Sequence, residues 1–337
     1  MSDIALMAMQ VRLALHNLES PAAFRRHVDS LAARAADAAG DAEHRLMVFP
    51  EAIGHFLPLA FAPLAVLEKS TVAEAMTALA VRRPLSVLRG LLDAGAPMSQ
   101  NALQKGVMHA LLPACDALMR EVFAAVARRH RATVVAGSHL CVHRPGRVTN
   151  TSYTFDPNGR LVATTDKVNL VPGMEDAAPG GLALARGDAG GIPLVDTPAG
   201  SLATLICYDG FREPHTRGER WAKVGPRIDA AGADVIANPA ANPWDWNGPW
   251  FFAEPGEEIL RCDQWRTEGL PATLGELHHA RYGITAHLCG QILDQRFEGV
   301  SEVLERRDGE VVVLARAKSR DQSEIVCARA AVDAERR

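Results

Sequence analysis

The chain has 337 residues, 48% hydrophobic and 23% charged, enough apolar material for a sizeable core. Its 36 basic and 40 acidic residues leave a formal charge of −4, which argues against nucleic acid or an anionic lipid surface as partner. The opening Met1-Ser2-Asp3-Ile4-Ala5 lacks a basic stretch followed by an apolar one, so no secretory signal is expected. The six cysteines (115, 141, 207, 262, 289 and 327) are scattered, a pattern that suits reduced thiols and predicts a cytoplasmic protein.

In chain order, Ile4–Met9 reads as a short apolar strand, and 21–39 as a helix with Ala, Leu and Val on one stripe. Leu46–Phe49 is a buried strand that ends at Pro50-Glu51. The residues 113–130 carry the clearest helical period, with Leu118, Val122, Ala125 and Val126 facing one side. Thr133–Ala136 is a strand stopped by Gly137. A hairpin is predicted from Thr151–Phe155 and Leu161–Thr165, because Asp156-Pro157-Asn158-Gly159 between them has strong turn chemistry. Leu202–Ile206 is a β-rich run ending at Cys207. A helix is expected over 217–231, then strands at Ala233–Ala237 and Tyr282–Leu288. A closing hairpin, Ser301–Glu305 with Val311–Ala315, turns at Asp308-Gly309 and is followed by Ile325–Ala328.

Strand–helix units mixed with hairpins predict an α/β fold, and no repeat or low-complexity linker divides the chain. Two stretches are irregular. At about 52–110 an apolar, Pro-interrupted run precedes short helical patterns; it is shorter than a membrane span of ~20 residues and predicts a cap. At about 239–271 lie four of the five tryptophans, a surface for stacking a ligand or equally a roof over the core or an oligomer contact.

Three reactive groups sit where strands end. Glu51 follows Val48-Phe49-Pro50, Lys167 follows Thr165-Asp166, and Cys207 follows Leu205-Ile206 and precedes Tyr208-Asp209-Gly210. Strand ends expose side chains while the sheet fixes their position. A thiol with a free pKa of about 8.5 needs a base or a nearby cation before it attacks. Glu51 can take that proton and return it to a leaving amine, while Lys167 and the backbone N–H after the nucleophile can hold an oxyanion. Singly, each residue type is structural or solvated far more often than catalytic. Together they supply what amide hydrolysis requires, without a metal.

These three motifs, in this order, resemble the nitrilase superfamily of carbon–nitrogen hydrolases. Phe49-Pro50-Glu51 is similar to the family's general-base motif. Asp166-Lys167-Val168-Asn169-Leu170-Val171-Pro172 is similar to its lysine motif, and Leu205-Ile206-Cys207-Tyr208-Asp209-Gly210 to its nucleophile motif. Supporting likeness runs through Met9-Gln10, Phe155-Asp156-Pro157-Asn158-Gly159, Gly232–Pro239 and Phe297–Ser301. The resemblance implies a four-layer α-β-β-α sandwich formed by one domain over 1–337, with the Cys at a strong bend, that assembles as a homodimer or larger homo-oligomer. It also implies that Glu175 is a second active-site glutamate that positions substrate or assists the lysine, and that Tyr208 contributes to the substrate or oxyanion site. Nitrile-cleaving members have Trp-Glu after the nucleophile, whereas Tyr208-Asp209 looks more like the amidase and carbamoyl-hydrolase branches. Phe211-Arg212-Glu213-Pro214 departs from the order those branches usually show.

The expected activity is therefore hydrolysis of a non-peptide amide or N-carbamoyl bond in a small molecule. A nitrilase, an amide-forming acyltransferase with the same three groups, or a non-catalytic protein of the same fold are the alternatives. Histidines such as His278-His279 lack H-E-x-x-H spacing, so neither zinc nor another cofactor is expected. No G-x-S-x-G elbow offers a serine nucleophile.

Overall fold

The computed structural model describes residues 2–94, 102–178 and 180–332. Its strands in chain order are β1 (Ser2–Ala14), β2 (His44–Val48), β3 (Thr133–Val135), β4 (His139–Arg144), β5 (Arg147–Phe155), β6 (Leu161–Asp166) and β7 (Leu194–Thr197). They continue as β8 (Gly200–Thr204), β9 (Val235–Ala241), β10 (Tyr282–Ile292), β11 (Gln295–Phe297), β12 (Glu302–Arg307), β13 (Glu310–Arg316) and β14 (Glu324–Val332). The helices are α1 (Pro21–Ala39), α2 (Leu64–Leu67), α3 (Val72–Arg82), α4 (Pro84–Ala94), α5 (Ala102–His130), α6 (Gly225–Ala230), α7 (Arg261–Glu268) and α8 (Leu270–Glu276).

The result is a mixed α/β fold with one curled sheet. The main strand order is β4-β5-β3-β2-β1-β10-β9-β8-β7, with β6 on β5, β14 on β1, β11 and β12 on β10, and β13 on β12. β1 makes the curl, because its two halves have different neighbours. Ile4–Ala8 runs parallel to β2 and is paired on its other edge with β14, whereas Val11–Ala14 pairs with Leu288–Gln291 of β10. Successive side chains on a strand point to opposite faces, so β1 feeds two separate cores. Ile4, Leu6 and Ala8 pack with Val48, Val135, Val235, Ala237, Ile284 and Ala286. Ala5, Met7 and Met9 pack with Met47, Phe49 and Val134, and with Phe24 and Val28 of α1 and Phe123 of α5. A third apolar cluster joins Ala203, Leu205 and Ile236 to Ile228 of α6 and to Leu270 and Leu274 of α8.

α1 has the boundaries the sequence predicts, and its ends show why. Ser20 Oγ accepts the Ala23 N–H at 3.1 Å, Pro21 opens the first turn where its missing N–H costs nothing, and Gly40 with φ 55° ends it. Two helices differ from expectation. The helix expected over 113–130 already starts at Ala102, with Pro113 inside it. Buried Val107, Leu111, Cys115 and Leu118 form one stripe across the proline, and that packing outweighs the single backbone bond Pro113 removes. The helix expected over 217–231 is helical only from Gly225 to Ala230. Upstream, tertiary bonds take the backbone groups a helix would use. Ala222 donates its N–H to Asn169 Oδ1 at 2.9 Å and accepts from Asn169 Nδ2 at 2.9 Å. The short strand β4, which pairs with β5, is an element the sequence pattern did not reveal.

Candidate active site

Glu51 stands in the first turn after β2. Phe49 N–H still bonds Val135 C=O at 2.9 Å, and Pro50, with no N–H, ends the ladder. Ala52 then takes a left-handed φ of 60°, held by Ser138 Oγ accepting its N–H at 3.1 Å. Gly137, at φ 66°, lies so close that a Cβ there would meet Pro50 O at 2.1 Å. Only glycine fits that position.

Cys207 opens a tight 3₁₀ turn, Cys207–Gly210, three residues past the end of β8, and its φ is 48°. A non-glycine residue in that region stores about 1–3 kcal/mol and needs support from its surroundings. Asn238 of β9 supplies it, donating Nδ2 to Leu205 O at 2.7 Å and to Cys207 O at 3.1 Å. Lys167 follows β6, its N–H on Asn150 O at 2.8 Å. The Asp209 carboxylate accepts the Val168 and Asn169 N–H groups at 3.1 and 2.7 Å, so it ties the lysine turn directly to the cysteine turn.

These turns converge. Lys167 Nζ lies 2.7 Å from Glu51 Oε1 and 2.6 Å from Glu175 Oε2, with all three side chains at most 10% exposed. Glu51 Oε2 accepts the Ala241 N–H at 3.1 Å, and the Cys207 thiol reaches the Ala241 carbonyl at 3.6 Å. Asn150 Nδ2 bridges the two carboxylates, 2.8 Å from Glu51 and 3.0 Å from Glu175. His55 Nε2 lies 3.2 Å from Asn150 Oδ1, and Val171 N–H adds a donor to Glu175 at 3.0 Å.

Burial and charge separate the two carboxylates. Burial pushes the Glu51 carboxyl up, and Glu175 pushes the same way, against Lys167 and the Cys207 thiol. Glu175 is equally buried, yet Lys167, the Val171 N–H and Asn150 bring it below the usual range. Burial disfavours the Lys167 ammonium, but Glu175 and Glu51 outweigh it and hold the proton firmly. Burial and the Glu51 charge push the Cys207 thiol up, so at rest it keeps its proton. The two carboxylates on one ammonium thus sit in opposed environments, Glu175 held down and Glu51 held up beside a thiol. Opposed environments of this kind mark out acid–base roles.

The sequence matches the family model described as Carbon-nitrogen hydrolase over residues 5–215. The chain belongs to the carbon–nitrogen hydrolase family. The fold agrees. A mutant of an amidase from Nesterenkonia sp. AN1, with acrylamide joined by Michael addition at its active-site cysteine, is 20% identical at a TM-score of 0.56, over 97% of this chain and 92% of that one. A mutant of the same amidase carrying the acetamide moiety of fluoroacetamide is similar at a TM-score of 0.59 and 19% identity, covering 98% and 90% of the two chains. A hydrolase of Schizosaccharomyces pombe is 34% identical over 83 residues, 23% of this chain and 24% of that protein. The match therefore spans about a quarter of that relative's length.

In this member of the family the five residues singled out from sequence do not all share one cluster. Glu51, Lys167 and Glu175 are in direct contact, and Cys207 meets Glu51 through Ala241. The Tyr208 phenol is engaged elsewhere: it bonds Glu219 and the His215 N–H, and its ring stacks on His215 at 3.8 Å. Asn150, His55, Asp209 and Asn238 are residues that sequence reasoning missed. Thr149-Asn150-Thr151 held a signal, since three adjacent polar residues buried in one strand mean that both of its faces carry hydrogen-bond networks.

The tryptophan stretch covers the turn that carries Cys207. Trp265 packs with Cys207, Tyr208 and Phe211, with Trp244 and Trp246 alongside. Arg261, 1% exposed, lies 3.8 Å over the Trp250 ring and donates to Asn242 Oδ1 at 2.7 Å. Phe251 is left 69% exposed. A cavity of about 1280 Å³ between Thr197, Asp234, Arg281 and Arg306 shares no residue with this cluster; the perturbed, converging groups locate the site better than cavity size does. Among the described residues no helix is long and apolar enough to cross a membrane.

Proposed function

We propose that the chain hydrolyses a non-peptide carbon–nitrogen bond, of amide or N-carbamoyl type, through a thioester on Cys207. The contact that carries this reading is the buried Lys167 ammonium, shared by Glu51 and Glu175 beside the Cys207 thiol. Glu51 takes the thiol proton as sulfur attacks the carbonyl carbon. Lys167 Nζ and the Tyr208 backbone N–H stabilise the oxyanion. The phenol's bonds to Glu219 and His215 leave that role to the backbone of Tyr208. Glu51 then protonates the leaving nitrogen, and ammonia or an amine departs. In the second half Glu51 draws a proton from water, which attacks the thioester, frees the acid and restores the thiol. Glu175 keeps Lys167 charged and in place.

The three apolar clusters support the four-layer α-β-β-α arrangement as one domain, in which 52–94 and 102–110 belong to an elaborated cap, 95–101 of that stretch lying outside the described residues. The test is ammonia release from a panel of amides, N-carbamoyl compounds, ureides and nitriles. Turnover of an amide or carbamoyl compound that disappears in Cys207→Ala is the expected result. Full activity in Cys207→Ala, or turnover of nitriles alone, refutes the proposal.

A further inference from the structure

On β4, His139, Cys141 and His143 alternate, and alternate residues of a strand share a face. α5 sets Asp116 against that face. Asp116 Oδ1 lies 3.0 Å from His139 Nε2 and 3.9 Å from Cys141 Sγ, and the donor atoms of the three residues all fall within 4.8 Å of one another. His143 Nδ1 stands 3.9 Å from the same sulfur. None of these groups belongs to the Glu51–Lys167–Cys207 cluster. Asn150 faces the carboxylates of that cluster, while its neighbours Thr149 and Thr151 face Asp166 on the other side of the sheet, with the β4 donors.

We propose that Asp116, His139 and Cys141 bind zinc, with His143 closing the fourth position. Tetrahedral zinc with sulfur at about 2.3 Å and nitrogen or oxygen near 2.0–2.1 Å sets neighbouring donors about 3.3–3.6 Å apart. The 3.0 and 3.9 Å separations reach that range with shifts of a few tenths of an ångström. The donor set of one thiolate, imidazoles and one carboxylate suits zinc better than magnesium or calcium. Thiolate and carboxylate together also cancel the charge of a divalent ion.

The surroundings orient each donor. Arg120 Nε donates to Asp116 Oδ2 at 2.9 Å, which turns Oδ1 inward. Asp166 Oδ1 lies 2.9 Å from His143 Nε2, so that ring presents Nδ1 towards the sulfur. A carboxylate on the far nitrogen of a ligating histidine is the usual support in zinc sites. Thr149 and Thr151 hydroxyls hold that carboxylate at 3.1 and 2.8 Å. Tyr153 bonds Asp116 and lies 3.6 Å from Cys141 Sγ, a further oxygen at the edge of the cluster. Cys141 and His139 are buried, whereas the Asp116 and His143 side chains are 23% and 30% exposed and open a route for the ion. Asp166 adjoins Lys167 and Thr151 adjoins Asn150, so the ion would brace the strands that carry the lysine and the bridging amide.

The test uses the full chain, stripped with a chelator and titrated with cobalt(II), then zinc. One equivalent of cobalt should give tetrahedral visible bands and a thiolate-to-cobalt charge-transfer band, both lost when zinc is added. Cys207→Ala should keep the band and Cys141→Ser should lose it. Asp166→Asn should weaken zinc binding about 10–100-fold. His143→Asn, at a half-exposed position, should weaken it too and serves if Cys141→Ser does not fold. No thiolate band in the wild type, or a band lost in Cys207→Ala and kept in either β4 variant, overturns the assignment.

Discussion

Glu175→Gln tests the division of labour between the two carboxylates. Glu51 and Glu175 bond the same ammonium at 2.7 and 2.6 Å, and both accept from Asn150 Nδ2. Their facing oxygens therefore lie within about 5 Å, where like charges at an effective dielectric of ~20 repel by about 3 kcal/mol. That energy corresponds to about 2 pH units. Removing the Glu175 charge relieves Glu51, whose carboxyl burial and Glu175 hold up. The acid limb of kcat/KM, which reports Glu51 losing its proton, should therefore move to lower pH by up to about 2 units. The glutamine amide also sets a donor against Asn150 or Lys167, a buried mismatch of about 1–3 kcal/mol that lowers kcat and stability together. The assay is ammonia release against pH for both proteins on one amide. An acid limb that stays in place or moves upward would refute the reasoning.

Other outcomes follow from the same geometry. Lys167→Met leaves two buried carboxylates without their cation, and breaking such a pair costs about 3–5 kcal/mol; the denaturant midpoint should drop and turnover vanish, and a stable, active variant would contradict the assigned role. Gly137→Ala forces a Cβ to within 2.1 Å of Pro50 O at φ 66°, so a loss of about 2–4 kcal/mol is expected in urea unfolding, and an unchanged midpoint would contradict it. Burial brings His27 and His55 down to about 4 and His287 down to about 3. With folded values below the unfolded value of about 6.5, their contribution is complete above pH 6.5 and is lost as pH falls towards 4 and 3. Urea midpoints should therefore begin to fall already between pH 6.5 and 5, above the carboxylate range, and a flat profile there would count against buried neutral histidines.

Much of the fold was legible because its signals are local. Ser20, Pro21 and Gly40 bound α1, and Asp156–Gly159 and Asp308-Gly309 turn their hairpins. The strand-end positions of Glu51 and Cys207 could be read because an apolar run stops just before each, and that of Lys167 because it follows the second strand of a predicted hairpin. What was not legible depends on partners distant in sequence. Pro113 looked like a helix start because the buried stripe that carries the helix through it exists only after packing. Residues 217–224 looked helical, but Asn169, about fifty residues earlier, takes both backbone groups of Ala222. Asn150 gave no motif, since its importance comes from bridging Glu51 and Glu175, neither of them near it in sequence. His139, Cys141 and His143 escaped notice because ligands two apart make sense only on a strand, and the sequence pattern did not reveal β4.

The proposed reaction passes through a sulfur–acyl bond formed at Cys207. Mixing the protein with a slowly hydrolysed amide, quenching in acid and mapping peptides by mass spectrometry tests this directly. The expected result is the acyl mass on the Cys207 peptide, removed by neutral hydroxylamine. Steady turnover with no acyl mass on that peptide, or with the acyl group on Cys141 instead, would contradict it.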